Sequence, residues 1–258
     1  MRIALLSDVH ANLHALDAVL ADIDRRGDID AVYHLGDLVG YSAYPNEVVD
    51  RLASRGVTGI AGNYDSTVAT RYKHCGCRSE SARQEELAHR SFAFTCRTVS
   101  AETTRRLAAL PFSLDLRPLG GHLAGPRLVL VHGTPTLNTV YWTEDRSDDF
   151  CLRMAGVVGL QAGDVIAFGH THKPWHRTVG GIHFVNTGSV GRPKDGDWRA
   201  GYVRLGLGEG TVQVDVVRVE YDVAAAAAAV RGAGLPEDFA EFLRTGGRAA
   251  PATDAPTA

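Results

Sequence analysis

The amino-acid sequence predicts a layered α/β fold, because short apolar segments alternate with segments of helical periodicity. Residues 3–6, 31–35 and 57–60 have the length and the apolar composition of buried strands. A helical pattern separates each of these segments from the next, and such an alternation is typical of α/β proteins. The periodicity alone leaves the number of sheets open.

The first two helices are predicted from their start signals and their apolar spacing. Asn12 favours an N-cap position. The apolar residues that follow it at helical spacing are Leu13, Leu16, Val19, Leu20 and Ile23. Pro45 suits the first turn of a second helix. The apolar face of this second helix consists of Val48, Val49 and Leu52.

Residues 78–110 turn helical and contain no motif of ligand-type residues. Ser100 can cap the second half of this segment, and Pro111 ends it. Together with the preceding loop, the segment forms an insertion at about residues 65–110. We interpret this insertion either as a small helical and loop cap over the site or as plain scaffold.

Strands return in the second half of the chain. Residues 128–131 and 165–168 are apolar runs, residues 182–185 and 202–205 are strand-like, and residues 212–216 alternate between apolar and polar types. The second half therefore extends the α/β plan of the first.

The composition changes at the C-terminal end. Residues 223–230 are nearly all alanine, which predicts a helix with little to bury. Residues 236–243 have the pattern of a short amphipathic helix that stops at Gly246 and Gly247. From residue 248 onward, the Ala, Pro and Thr composition predicts disorder. The predicted division is a main domain at 1–222, a helical appendage at 223–247 and a disordered tail at 248–258.

Charge and hydropathy narrow the class of protein. The chain has 258 residues and a net charge of -3 at pH 7, without the basic excess that a nucleic-acid or membrane surface requires. The N-terminus has no long apolar segment, and no stretch reaches the roughly 20 apolar residues of a membrane span. We expect a cytoplasmic enzyme. No pattern in the sequence indicates its oligomeric state.

The four cysteines are Cys75, Cys77, Cys96 and Cys151, and their spacing matches no disulfide framework. A cytoplasmic protein keeps such cysteines reduced. Cys75, Cys77 and the adjacent His74 suggest a metal site, but a structural zinc site needs four ligands and the sequence has no second cysteine pair. We interpret this segment as a loop close to the mouth of the active site.

Ligand-type residues follow five of the predicted strands. Because ligands of open α/β sheets gather at the carboxyl ends of the strands, we expect these side chains to meet. They are two carboxylates, one amide and four imidazoles: Asp8, His10, Asp37, Asn63, His132, His170 and His172. This number of ligands suits two metal ions rather than one.

The donor atoms restrict the identity of the metals. Imidazole nitrogen mixed with carboxylate and amide oxygen suits zinc, iron, manganese, cobalt or nickel, and it argues against a calcium cage built from oxygen alone. None of the cysteines lies in these motifs, which argues against a closed structural zinc site. We therefore expect two divalent transition-metal ions as cofactors.

Asp37 is placed to bridge the two ions, because Gly36 leaves room for close approach of the ions and the loop. Two ions roughly 3.5–4 Å apart hold a hydroxide between them and clamp the oxygens of a phosphoryl group. Together with Asp8, Asp37 and one hydroxide, they keep a net charge of about +1, which favours an anionic substrate. A small phosphate ester fits this site.

The order of these motifs resembles the calcineurin-like metallophosphoesterase superfamily. The blocks of that family are Asp-x-His, Gly-Asp, Gly-Asn, His and Gly-His-x-His, and all five occur in this order from Asp8 to His172, about two thirds of the chain. Each block is weak by itself, but the five together, each after a strand-like run, are specific. Residues 7–12, 62–65 and 186–191 are similar to the small bacterial phosphodiesterase branch.

The resemblance implies an αββα sandwich, in which helices cover the outer faces of two facing mixed β-sheets. It also implies an assignment of the ligands. Those of the first metal are Asp8, His10 and His172. Those of the second metal are Asn63, His132 and His170, and Asp37 bridges the two ions.

Position 64 departs from the pattern of many family members, in which a histidine follows Gly-Asn and is taken to protonate the leaving oxygen. Here the residue is Tyr64, and a pKa of about 10 makes tyrosine a sluggish proton donor at neutral pH. One interpretation adds Tyr64 as an acid to the other predicted catalytic residues, Asp37, Asn63 and His132. The other interpretation is a loop aromatic that lines the pocket.

Four residues are candidates for substrate binding. Asn12 and Asn63 carry amides that can reach a phosphate oxygen, although capping of a helix is sufficient to explain Asn12. Gly188 and Ser189 belong to a turn whose backbone N–H groups suit a phosphate. An ordinary glycine turn is the alternative interpretation.

We assign no catalytic or ligand-binding role to four other polar residues. His34 lies within a predicted strand rather than at its end, which indicates a core histidine with satisfied hydrogen bonds. Arg71, Lys73 and Arg192 flank the site loops and are interpreted as solvated surface charges.

The most direct function for such a site is that of a phosphodiesterase, which hydrolyses small phosphate diesters by attack of a hydroxide that bridges two metal ions. A second possible function is that of a phosphomonoesterase or phosphoprotein phosphatase with the same site. A third possibility is a non-catalytic binding module with this fold. The complete ligand set argues against a binding module. Tyr64 favours diesters, because diesters with good leaving groups need little protonation.

Overall fold

Two five-stranded β-sheets face each other in the computed structural model, which describes residues 1–76, 81–117, 126–208 and 210–248. The strands, in chain order, are β1 (Arg2–Leu6), β2 (Ala31–His34), β3 (Thr58–Gly59), β4 (Ser113–Leu116), β5 (Leu128–Val131), β6 (Val165–Phe168), β7 (Trp175–Val179), β8 (Ile182–Asn186), β9 (Ala200–Gly208) and β10 (Thr211–Val219). The helices are α1 (Leu13–Arg26), α2 (Pro45–Ser54), α3 (Asn63–Ala69), α4 (Ala82–Thr98), α5 (Ala101–Ala108), α6 (Asp148–Val157), α7 (Val223–Gly232) and α8 (Glu237–Thr245).

Both sheets are mixed, with a parallel centre. The first sheet has the strand order β10-β9-β1-β2-β3, and the second has the order β4-β5-β6-β8-β7. Strands β1, β2 and β3 are parallel to one another, as are β5, β6 and β8. The remaining strands pair in antiparallel fashion. In each sheet the parallel strands bring their carboxyl ends to one edge, where a ligand site of an α/β protein is expected.

Three clusters of buried apolar residues define the layers. The cluster between the sheets includes Leu5 of β1, Leu130 of β5 and Val203 of β9. A second cluster joins the outer face of the first sheet to α1, α2, α7 and α8. A third cluster joins the outer face of the second sheet to α6. The order of layers is helix, sheet, sheet, helix, which confirms the predicted αββα sandwich.

The helices begin where the sequence signals place them. Asn12 Oδ1 accepts a hydrogen bond from the backbone N–H of Ala15 in α1 (3.2 Å), and Pro45 is the first residue of α2. Ser100 Oγ accepts a hydrogen bond from the backbone N–H of Thr103 in α5 (3.0 Å). The helical segment predicted at 78–110 is thus divided into α4 and α5, since Val99 has an extended backbone ahead of the Ser100 cap.

The predicted insertion packs as part of the outer helical layer. Phe92 of α4 and Leu107 of α5 are buried in the cluster that covers the first sheet. This packing favours the scaffold interpretation over that of a cap. Residues 77–80 of the insertion, including Cys77, lie outside the described residues.

The C-terminal helices share the core of the main domain. Ala226 and Val230 of α7 and Phe239 and Leu243 of α8 are buried in the cluster on the first sheet. The expectation that the alanine-rich segment has little to bury is therefore wrong, because its short side chains allow α7 to pack closely against α1. The domain boundary at residue 222 stays a prediction, and the predicted tail lies, apart from Arg248, outside the described residues. No helix in the described ranges is long and apolar enough to cross a membrane.

Candidate metal centre

All seven predicted ligands follow the carboxyl ends of strands from the two sheets, and they lie together in one buried region. Asp8 and His10 follow β1, Asp37 follows β2, Asn63 opens α3 after β3, His132 follows β5, and His170 and His172 follow β6. Each of the seven residues is at most 4% exposed. Charged and polar side chains are rarely buried so completely unless they pair with one another or coordinate a metal.

The backbone is strained at five of these positions. Asp8, His10, Asp37, His170 and His172 all have positive φ angles, between 48° and 65°. This left-handed conformation is uncommon for residues other than glycine, and such strain of about 1–3 kcal/mol per residue clusters at functional sites. The turns after β1, β2 and β6 therefore adopt a backbone conformation that costs free energy, and a turn with a purely structural role would not need this conformation.

The first group of ligands is formed by Asp8, His10 and His172. The Nε2 atoms of His10 and His172 lie 3.2 Å apart. Asp8 Oδ1 lies 3.2 Å from His172 Nε2 and 3.7 Å from His10 Nε2. Three donor atoms from two strand ends thus face a common point.

The second group is formed by Asp37, His132 and His170, and Asn63 adjoins it. Asp37 Oδ2 lies 3.4 Å from His132 Nε2, and Asn63 Oδ1 lies 3.1 Å from the same nitrogen. Asp37 Oδ2 is also 3.8 Å from His10 Nε2, which belongs to the first group. One carboxylate oxygen therefore faces both groups, as a bridging ligand must.

Backbone carbonyls orient three of the imidazoles. The Nδ1 atoms of His10, His132 and His172 lie within hydrogen-bonding distance of the carbonyl oxygens of Val39 (3.1 Å), Leu35 (2.7 Å) and Arg192 (2.5 Å), respectively. An imidazole that donates its Nδ1–H to a carbonyl presents the lone pair of Nε2 to the site. This is the tautomer that a metal ligand requires.

The donor set fits metal ions, because it leaves buried polar atoms that no protein group satisfies. Asp8 Oδ1 and His170 Nε2 are buried and have no hydrogen-bond partner among the described residues. A buried polar atom without a partner costs about 1–3 kcal/mol. Divalent ions between the groups would satisfy both atoms.

The charges of the site favour the neutral imidazole at His10 and His170 but the protonated imidazole at His132. Burial lowers the pKa of His10 and of His170 to about 3, so both imidazoles are neutral, as metal ligands must be. Burial would also lower the pKa of His132, but the carboxylate of Asp37 raises it to about 9. A proton and a metal ion therefore compete for the Nε2 atom of His132.

Asp65 supports the site, although no role for this residue was predicted from the sequence. Its Oδ1 accepts a hydrogen bond from the backbone N–H of Leu38 (2.9 Å), and its Oδ2 accepts one from Gly62 (3.0 Å). Burial and the nearby Asp37 raise its pKa to about 7. The available signal was an acidic residue three positions after Gly62, where a first helical turn can cap its own N-terminus.

Tyr64 is a buried helical residue in the structure, so its placement in a loop is wrong, but its ring adjoins that of His10, with the ring centres 5.8 Å apart. It lies in the first turn of α3, is 0% exposed and packs within the helical layer. Its hydroxyl group is hydrogen-bonded to Ser91 Oγ of α4 (2.8 Å), and its backbone N–H donates to Asp37 Oδ1 (2.8 Å). These contacts give Tyr64 a role in holding Asp37, and the general-acid role stays a prediction.

The predicted substrate-binding residues outside the ligand set support loops. Asn12 Nδ2 donates to the carbonyl oxygen of Gly191 (2.9 Å), and the backbone N–H of Gly188 donates to Asn186 Oδ1 (2.9 Å). Ser189 Oγ donates to the carbonyl oxygen of Asp8 (2.7 Å). All of these residues are buried, and their contacts within the protein give no support to substrate contacts of Asn12, Gly188 and Ser189.

The remaining sequence interpretations have mixed outcomes. His34 is buried and lies outside the two ligand groups, but its Nδ1 has no hydrogen-bond partner among the described residues, so it is not the satisfied histidine that we expected. The carbonyl oxygen of Cys75 accepts a hydrogen bond from Asn63 Nδ2 (2.8 Å), which confirms that this loop adjoins the site. Arg192 is half-buried between the rings of Tyr41 and Phe242, so its interpretation as a solvated surface charge is wrong.

Comparisons with known proteins agree with this geometry. A family model described as the calcineurin-like phosphoesterase superfamily domain matches residues 1–209. The uncharacterized protein MJ0912 of Methanocaldococcus jannaschii is 31% identical over 95% of this chain and 98% of its own length. The crystal structure of a metallophosphoesterase from Sphaerobacter thermophilus is 28% identical, with a TM-score of 0.74, and the match covers 95% of this chain and 100% of that one. A hypothetical protein, PH1004 of Pyrococcus horikoshii OT3, has the same fold at 22% identity and a TM-score of 0.79, over 96% of this chain and 99% of its own.

Proposed function

Since the chain belongs to the calcineurin-like phosphoesterase superfamily, we propose that it is a metal-dependent phosphodiesterase that hydrolyses small phosphate diesters. The observation that carries this proposal is the position of Asp37 Oδ2, which lies 3.4 Å from His132 Nε2 and 3.8 Å from His10 Nε2. A carboxylate shared between two buried ligand groups is the arrangement that a pair of closely spaced metal ions needs.

Asp8, His10 and His172 would hold one ion, and Asn63, His132 and His170 the other, with Asp37 shared between them. When bound, two divalent transition-metal ions would supply a nucleophile at neutral pH and neutralise the charge that develops on the phosphoryl oxygens. Nitrogen and oxygen donors of this kind suit manganese, iron, zinc, cobalt or nickel.

The protein contributes a fixed and dry site. Backbone carbonyls hold His10, His132 and His172 in one tautomer, and Asp65 fastens the turn that follows Asp37 to the start of α3. Burial of all ligands keeps the local dielectric constant low, so charges placed here act strongly on a phosphoryl group. Groups that are already oriented need little reorganisation during the reaction.

The contacts of Tyr64 favour diesters over monoesters. Its phenol group is buried and engaged with Ser91, so position 64 offers no ready proton to a leaving group. Substrates with poor leaving groups depend most on a general acid, whereas diesters with good leaving groups depend on it least. The same site acting on monoesters, including phosphoproteins, is the outcome that would contradict this preference.

The test combines metal analysis with a substrate panel. The purified chain is reconstituted separately with manganese, iron, cobalt, nickel and zinc, and its metal content and activity are measured. The panel contains aryl and alkyl diesters, cyclic nucleotides, monoesters and phosphopeptides. We expect close to two ions per chain and the highest kcat/KM on a diester. One ion or none with every metal would contradict the two-metal site, and higher kcat/KM on monoesters would contradict the diester preference alone.

A further inference from the structure

A stack of aromatic rings around an arginine begins at the first ligand group. Cζ of Arg192 lies 4.1 Å from the ring centre of Tyr41 and 3.7 Å from that of Phe242 on α8. Tyr41 in turn packs edge-on against His10, with the ring centres 5.0 Å apart. Tyr41 has a φ of 63°, which is a rare backbone conformation for an aromatic residue. The guanidinium group is thus one ring away from a predicted metal ligand.

The backbone of Arg192 is tied to the same site. Its carbonyl oxygen pairs with His172 Nδ1 (2.5 Å), and its N–H donates to Ser189 Oγ (2.8 Å). Ser189 Oγ itself donates to the carbonyl oxygen of Asp8 (2.7 Å). Any shift of Arg192 would therefore be transmitted to ligands of the first group.

The guanidinium group of Arg192 places a positive charge near the first ligand group. Only the ring of Tyr41 separates it from the ring of His10, and the backbone carbonyl of the same residue contacts His172.

This geometry suits the recognition of a phosphoryl group. Ring contacts on a guanidinium group confine its hydrogen bonds to its own plane, where the N–H fork matches two phosphate oxygens. The stack also orders the side chain before an anion binds, which lowers the entropy cost of binding. The two ligand groups already account for the phosphoryl group that reacts, so a cation beside them is placed for another anion of the substrate.

We propose that Arg192 is a substrate-binding residue, and that the substrate is a phosphate ester with a second phosphoryl group, which Arg192 binds. The inference rests on the proposed phosphoesterase function and adds a substrate class to it. An arginine that only fastened α8 to the site loop would be replaceable by an apolar side chain of similar length, whereas an anion-binding arginine would not.

The test uses two substrates that differ by one phosphoryl group. They are the p-nitrophenyl ester of thymidine 5′-monophosphate and the same diester with an additional 3′-phosphate. Both have the same nucleoside and the same leaving group, so a difference in KM reports only on the second phosphoryl group. Calorimetric titration of the metal-loaded protein with thymidine 5′-monophosphate and thymidine 3′,5′-bisphosphate measures the same preference without turnover.

Arg192→Met removes the charge and keeps an apolar stem for the stack, and Arg192→Lys keeps the charge without the fork. Arg153→Met, at an exposed position of α6, is the matched control for the loss of one positive charge. We expect the wild type to prefer the bisphosphorylated substrate by about 10–100-fold in KM, as a charge-assisted hydrogen bond predicts. Arg192→Met should abolish this preference in KM and in calorimetric binding, Arg192→Lys should restore part of it, and Arg153→Met should retain both the preference and the kcat of the wild type.

The outcomes separate this inference from the proposed function. Equal KM values for the two substrates in the wild type, or an intact preference in Arg192→Met, would overturn the role of Arg192 while leaving the phosphoesterase activity in place. Absence of hydrolysis by the metal-loaded wild type would instead contradict the proposed function. In that case a calorimetric preference for the bisphosphate that is lost in Arg192→Met would still support the anion site, and equal binding of the two nucleotides would overturn it.

Discussion

The Tyr64→Phe substitution removes one buried hydroxyl group and thereby separates a structural role of position 64 from a catalytic one. The phenol oxygen lies 2.8 Å from Ser91 Oγ, and Ser91 Oγ also accepts a hydrogen bond from the backbone N–H of Tyr41 (2.8 Å). Tyr64 and Ser91 are both 0% exposed. The pair therefore links α3 and α4 to the loop that follows β2.

The expected loss of stability follows from these partners. A typical intramolecular hydrogen bond contributes about 0.5–1.5 kcal/mol net, and a buried group left without its partner costs about 1–3 kcal/mol. Since Ser91 keeps the N–H of Tyr41 as a partner, we expect Tyr64→Phe to lower the free energy of unfolding by about 1–2 kcal/mol. Ser91→Ala removes both contacts and should cost more. The double variant should show a coupling energy of about 1 kcal/mol between the two side chains.

Two measurements are needed. Urea unfolding of the metal-free chain gives the stabilities of the two single variants and the double variant. Tyr33→Phe is the matched control, because Tyr33 is a half-buried residue of β2 whose hydroxyl makes no hydrogen bond within the described ranges. Turnover of the metal-loaded variants on bis-p-nitrophenyl phosphate should stay within a few-fold of the wild type, because an activated leaving group needs little protonation.

Two results would refute this reasoning. A general acid contributes typically ~10²–10⁴-fold to the rate. A loss of that size in Tyr64→Phe, in folded protein with two metals bound, would show that the phenol takes part in the reaction. A coupling energy near zero between Tyr64 and Ser91 would show that their hydrogen bond does not stabilise the chain.

Three further predictions concern the metal centre and its surroundings. Asp37→Asn should bind fewer than two ions per chain and lose most turnover, because Asp37 Oδ2 faces both ligand groups; metal analysis that still finds two ions would contradict this. Gly62→Ala should weaken metal binding by about 10–100-fold, because its Cβ would lie 2.1 Å from Asp37 Oδ1, whereas Gly156→Ala meets nothing within 4 Å and serves as the control. Burial lowers the pKa of His34 to about 4 from 6.5, so the unfolded chain binds more protons between these pH values and stability falls as the pH decreases. Between about pH 6.5 and pH 4, the free energy of unfolding of the metal-free wild type should fall by up to about 3 kcal/mol relative to that of His34→Leu. If the difference between the two proteins does not change with pH, the lowered pKa of His34 is contradicted.

The seven candidate ligands could be predicted to lie together because their sequence signals are local. Asp8 and His10 follow an apolar strand within a few residues, and the other five candidate ligands do the same. The sequence alone therefore indicates which residues lie at strand ends. The number of sheets could not be predicted from such local signals. It depends on which strands pair, and β9, which pairs with β1, lies about two hundred residues away in the chain. The family resemblance supplied that information.

Errors arose where a side chain's role depends on a distant partner. Tyr64 follows a ligand in the sequence, but its hydroxyl contacts Ser91 on a helix that sequence periodicity could not orient. Arg192 is a charged residue in a loop, and only the position of α8 brings Phe242 against it. His34 is buried as predicted, yet no local pattern could indicate that its Nδ1 lacks a partner among the described residues.

The position of Phe242 connects the C-terminal helices to the proposed chemistry. The family domain matches residues 1–209 and includes all seven ligands, but α8 lies beyond it. Phe239 of α8 also packs edge-on against Tyr41, with ring centres 5.5 Å apart, so both sides of the arginine stack depend on this helix. The ligands that would carry out the reaction are thus held by strand ends within the family domain. The residue proposed to select the substrate is held by a helix outside that domain, so sequence changes in α8 can alter the substrate preference without altering a metal ligand.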